Sequence, residues 1–125
     1  MTDEHFLSAF RETSLPREEW THEAHVRMAF LVLAQGGGLE EIRLGIRRYN
    51  AAQHSTGYHE TITVAFARLV EVARVATPDL DWPAFSKAHP ELFVPTVLNR
   101  YYSRETLRSP EARAAFIAPD RQPLP

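Results

Sequence analysis

The chain is predicted to be all-α: a compact bundle of four main helices, followed by a proline-punctuated C-terminal region of short helices. Three observations predict this. Apolar residues recur at helical spacing from Phe6 to Ala73. Strand signals are weak: the one short alternation, Thr61 to Val64, lies inside a helical pattern, and no Asn-Gly or Asp-Gly turn occurs. Gly36-Gly37-Gly38, Gln53 to Gly57 and Thr77-Pro78-Asp79 punctuate the helical stretches at intervals that suit short interhelical loops.

The elements follow in order. A first helix is expected over about Thr2–Glu12, with Phe6, Ala9 and Phe10 inward. Ser14-Leu15-Pro16 breaks it, and Pro16 suits the first turn of a new helical segment. Thr21 is the expected N-cap of a second helix that reaches about Gln35 and ends at the glycine run. The third helix, Leu39 to Ala52, carries the stripe Leu39, Ile42, Ile46 and Tyr49, with Arg43, Arg47 and Arg48 facing solvent. The fourth, about Tyr58 to Ala76, carries Ile62, Phe66, Leu69, Val70 and Ala73. Shorter helices are expected near Trp82–His89, Pro95–Tyr102 and Pro110–Ile117, and residues 118–125 form an extended tail. Residues 1–125 read as a single domain without internal repeat or linker.

Composition narrows the function classes. The chain is 44% apolar and 24% charged with a net charge of −2, an ordinary soluble globular balance with no basic footprint for nucleic acid. The longest apolar run, Met28 to Ala34, falls far short of the roughly 18 residues of a membrane span. The acidic, polar N-terminus is not that of a secretion signal. The absence of cysteine excludes disulfides and thiolate ligands and fits a cytoplasmic location. Any metal must therefore be held by His, Asp, Glu, Tyr or water.

The chemistry concentrates in two strings, Trp20-Thr21-His22-Glu23-Ala24-His25 and Gly57-Tyr58-His59-Glu60-Thr61, each opening a helix. Antiparallel packing of helices two, three and four brings both starts to the same end of the bundle, beside Tyr49 and Asn50. Helix phase then points His22, His25 and His59 toward the core, with Glu60 on the flank. Histidines three apart on one turn suit a shared ion. With His59 and Glu60 they form a candidate site for Zn²⁺, Fe²⁺, Mn²⁺ or Ni²⁺, where Glu60 or Glu23 serves as base. His-Glu-Ala-His is one residue too short for the zinc-protease motif, because the i, i+4 geometry is lost.

The expected function is a small metal-dependent enzyme, a hydrolase or lyase, acting on a small molecule, anionic ones included. Two alternatives stand beside it. The positive helix starts disfavour a cation and favour an anion, so a metal-free module binding a carboxylate or phosphate is one. The other is a structural or interaction protein, with His22 and His25 hydrogen-bonded to backbone and Glu60 serving as a helix-terminal charge. His5 and His54 read as solvated, His89 as a helix-end charge contact, and Trp20 and Trp82 as core or staple residues. A homodimer is possible, since small helical bundles often pair.

Several blocks carry a resemblance: Trp20 to Ala29, Arg48-Tyr49-Asn50, Gly57 to Thr61, Tyr101-Tyr102-Ser103-Arg104, and Ser109-Pro110-Glu111-Ala112-Arg113. Over nearly its whole length the chain resembles a family of small uncharacterised bacterial all-helical proteins. That family has a His-x-x-His block, a Tyr-His-Glu-Thr block and a late Tyr-Ser-Arg block. The resemblance implies a fold unit and a site but no reaction. It adds Tyr102, Ser103 and Arg104 to the candidates, Arg104 as a clamp on an anionic ligand or else as a partner of helix-end carbonyls. Tyr49, Asn50 and Tyr58 complete the expected ligand contacts.

Overall fold

A computed structural model describes residues 1–125, and it is all-helical, without strands. The main helices are α1 (Asp3–Arg11), α2 (His22–Ala34), α3 (Leu39–Ala52) and α4 (Glu60–Ala76). Three shorter ones follow: α5 (Trp82–Ala88), α6 (Arg104–Arg108) and α7 (Pro110–Ala114). Short 3₁₀ segments at Arg17–Glu19, Pro90–Phe93 and Pro95–Arg100 connect them. No helix is long and apolar enough to cross a membrane.

The starts of these helices are chemically marked. Thr2, Thr21, Asp81, Ser103 and Ser109 each occupy an N-cap and accept a backbone N–H from the first turn. Prolines fall in the opening turns of α5, α7 and the two later 3₁₀ segments, where a missing N–H costs nothing. The expected span Pro95–Tyr102 is thus a 3₁₀ segment ending at Arg100, and Pro110–Ile117 is helical only to Ala114. Helix α4 begins two residues later than expected. Its N-cap is His59, whose Nδ1 accepts the Ile62 N–H at 3.1 Å.

Helix α4 packs on α2 and α3, and α1 closes the far side of α3. Gly45 makes that last approach possible: a Cβ there would lie 2.8 Å from Phe10 Cε2. The buried face of α3 is Ile42, Gly45, Ile46 and Tyr49; Leu39, expected inside, is 39% exposed at the first turn. Phe10, Trp20 and Tyr49 form one aromatic cluster, Phe10 lying 4.9 Å from Trp20 and 5.9 Å from Tyr49 and the latter two 5.1 Å apart, while Trp82 is buried against Phe30, Phe85 and Phe93.

The C-terminal segment straps back over the bundle. Thr61, fully buried, donates its hydroxyl to the Ala115 carbonyl and accepts the Ile117 N–H. Tyr102 donates to the Ile117 carbonyl at 2.7 Å. Asp120 accepts from the Ser103 N–H, the Ser103 hydroxyl and the Thr106 hydroxyl, and the tail ends where Arg68 donates to Pro125. The hydroxyl and amide of Ser103 hold the Asp120 carboxyl down at about 2.

Candidate functional site

A pocket of about 300 Å³ opens between α2, α3 and α4. Its walls are mostly aliphatic: Val26, Met28 and Ala29 from α2, Ile42 and Ile46 from α3, and Ile62, Phe66, Ala67 and Val70 from α4. Ile62 and Phe66 sit at inward positions of α4 yet are only half-buried, because part of each side chain faces this space. Three polar residues complete the lining: His22, His25 and Thr63.

The two imidazoles are held by backbone. The Nδ1–H of His25 donates to the Thr21 carbonyl at 2.7 Å, and the Nε2–H of His22 donates to the Leu92 carbonyl at 2.9 Å. A carbonyl only accepts, so both bonds fix the tautomer. They leave Nε2 of His25 and Nδ1 of His22 as lone-pair acceptors without a protein partner. No fully buried side-chain nitrogen or oxygen lacks a partner, so these two atoms remain accessible. The His25 ring lies 3.9 Å from that of Trp20, and the His22 ring meets the edge of Phe66 at 5.0 Å. Burial pushes the His25 imidazole below its ordinary value; the bond to Thr21 opposes this, and the nearby His22 adds to it.

His59 is not part of this arrangement. Its Nδ1 lone pair is taken by Ile62, and its Nε2–H donates to the Leu107 carbonyl at 2.7 Å. The expected convergence of three imidazoles is corrected to two, because the later start of α4 makes His59 a cap rather than an inward residue of the first turn. No group of three or more His, Asp or Glu side chains is arranged to hold one metal ion.

Glu60 is committed elsewhere. Buried at 7% exposure, it accepts both Arg43 Nε (2.9 and 3.0 Å to its two oxygens) and Arg43 Nη2, and Tyr58 donates to it as well. Arg47 lies 3.8 Å away, over the ring of Tyr58. The Arg43 hydrogen bonds hold the Glu60 carboxyl below its usual range against the opposing effect of burial. Burial and the Glu60 bond push the Tyr58 hydroxyl up. Arg43 was expected in a solvated face; it turns back because a buried carboxylate without a cation is far costlier than an exposed arginine.

The other candidates disperse. Tyr49 is buried and donates to the Leu15 carbonyl at 2.8 Å. Asn50 is half-buried at the end of α3, and its carbonyl accepts the Gln53 and Ser55 N–H groups. Tyr102 is fully buried and tied to the tail, while Glu23 and Arg104 are exposed and make no ion pair. His5 and His54 are exposed, and His89 Nε2 meets Thr77 Oγ1 at 2.8 Å beside Glu91. Thr63 and the aliphatic walls of the pocket were not foreseen. The signal available was that Thr63 stands one residue from Ile62, on the edge of the α4 stripe.

Comparison with protein-family models, with curated proteins and with solved structures finds no match to this chain.

Proposed function

We propose that this protein binds a small, largely apolar molecule in the pocket between α2, α3 and α4. His25 acts on it as general base, and His22 is a second hydrogen-bond acceptor. The observation that carries this reading is the pair of tautomer-fixed imidazoles, each with one free lone pair, on the wall of an otherwise aliphatic pocket. Apolar walls with a few placed polar groups are the usual make-up of a small-molecule site. A depressed imidazole stays neutral at pH 7, which is the form that accepts a proton.

Diethyl pyrocarbonate tests this, because it carbethoxylates only an accessible, unprotonated imidazole nitrogen. Peptide mapping by mass spectrometry is expected to show His22 and His25 modified, His59 spared, and exposed His5 and His54 serving as internal references. Saturating indole is expected to slow the reaction at His22 and His25 alone. Equal reactivity of His59 and His25, or no protection by indole, would overturn the reading.

A metal-dependent hydrolase or lyase is the second reading. It is supported by the same two free lone pairs, one helical turn apart on α2. Solvent or substrate then supplies the remaining ligands of the ion. Calorimetric titration with Zn²⁺ and Mn²⁺ distinguishes it: stoichiometric binding lost in His22→Ala favours the metal, and no binding at micromolar concentration removes it.

A further inference from the structure

We infer that the pocket selects a neutral, ring-sized ligand that brings its own O–H or N–H donor, and that it discriminates against both carboxylates and ammonium groups. This deepens the proposed function and rests on it.

The inference follows from the polar groups the pocket offers. The two free ring nitrogens can only accept. Thr63 contributes a hydroxyl, and the other nine lining residues are hydrophobic. A ligand without a donor would strip water from two lone pairs and return nothing. A carboxylate would face those lone pairs with its own charge, and no arginine or lysine lines the pocket to oppose the repulsion. An ammonium group would find acceptors but no counter-charge, since no Asp or Glu lines the pocket and Glu60 is bound to Arg43 and Tyr58. The desolvation that already depresses His25 acts on any cation placed beside it. A neutral hydroxyl or N–H escapes all three penalties. Size follows from volume: a cavity of about 150 Å³ accepts one benzene ring, so this one, at about 300 Å³, admits two fused rings.

Three compounds of one shape test it: 2-naphthol, naphthalene and 2-naphthoate, titrated calorimetrically into the full chain at pH 8. In water the hydroxyl is well solvated, so an indifferent apolar pocket would prefer naphthalene. The expected order is 2-naphthol about tenfold tighter than naphthalene, and naphthoate weakest of the three. In His25→Leu the advantage of naphthol is expected to fall to about threefold or less, with naphthalene affinity kept within about twofold. Retained naphthalene binding also reports that the variant is folded. Should the variant not fold, the wild-type order stands alone, supplemented by the ¹⁵N shift of His25 Nε2, which is expected to move with naphthol and not with naphthalene. Equal binding of naphthol and naphthalene overturns the inference while leaving the pocket as a binding site. Tightest binding of naphthoate overturns it in favour of an anion site. Failure of all three compounds to bind overturns the proposed function as well.

Discussion

Replacing His59 tests most directly whether this residue is a cap or a ligand. Its Nδ1 satisfies the Ile62 N–H at the start of α4, and its Nε2–H ties that helix to the Leu107 carbonyl of α6. His59→Ala removes both bonds. Loss of an N-cap costs about 1 kcal/mol. Loss of the second bond, with a half-buried carbonyl left for water to reach, adds about 1–2 kcal/mol. Unfolding entropy of about 2.1 cal/mol/K per residue over 125 residues converts about 2–3 kcal/mol to a fall in Tm of roughly 8–11 °C. His59→Asn restores an acceptor for Ile62 but not the link to Leu107, so about half of that fall is expected. The assay is thermal unfolding by circular dichroism in EDTA, where no metal can contribute. A Tm within 2 °C of wild type for His59→Ala would refute the capping geometry. A difference that emerges only on adding a divalent metal would make His59 a ligand after all.

Two further outcomes are expected. Gly45→Ala places a methyl group 2.8 Å from Phe10 Cε2, and Phe10 has little room to yield because it is buried and packed against both Trp20 and Tyr49. Overpacking of about 1–3 kcal/mol outweighs the roughly 1 kcal/mol gained in helix propensity, so urea unfolding is expected to show net destabilisation, and an unchanged or higher midpoint would refute the close approach. Asp120 lies at about 2 against an ordinary value of 3.8, so its stabilisation of the tail is present above 3.8 and is lost as pH falls through about 2. The amide shift of Ser103, which donates to that carboxylate, is expected to titrate near 2; a midpoint near 3.8 would show that the clasp does not form in solution.

The fold was largely legible because its signals are local. Thr21 as N-cap, the glycine run after α2, the span of α3 and the stop at Thr77 can each be read from a few neighbouring residues, and each is found. The candidate site was half legible for the same reason. His22 and His25 sit on a helix whose start is marked by Thr21, so their phase could be read and both reach the pocket. Histidine is a rare cap, so the start of α4 carried no familiar mark. Placing it at Tyr58 instead of Glu60 put His59 inside the first turn, where the structure has it as an extended N-cap, and gave a three-imidazole convergence that does not form. The commitments of Glu60 to Arg43, His22 to Leu92 and Tyr102 to Ile117 span 17, 70 and 15 residues. Nothing local encodes such pairings; they follow from what the finished packing leaves in need of a partner.

The contact of Trp20 with His25 gives the protein an optical handle on its own pocket. The indole and imidazole rings lie 3.9 Å apart, close enough for a protonated imidazole to quench the excited indole. The second tryptophan, Trp82, is packed among Phe30, Phe85 and Phe93 and provides a steady background. The changing part of the emission therefore reads the charge state of His25 without any added label. A molecule that occupies the pocket and engages His25 would announce itself in the same signal, whether or not its chemistry is known beforehand.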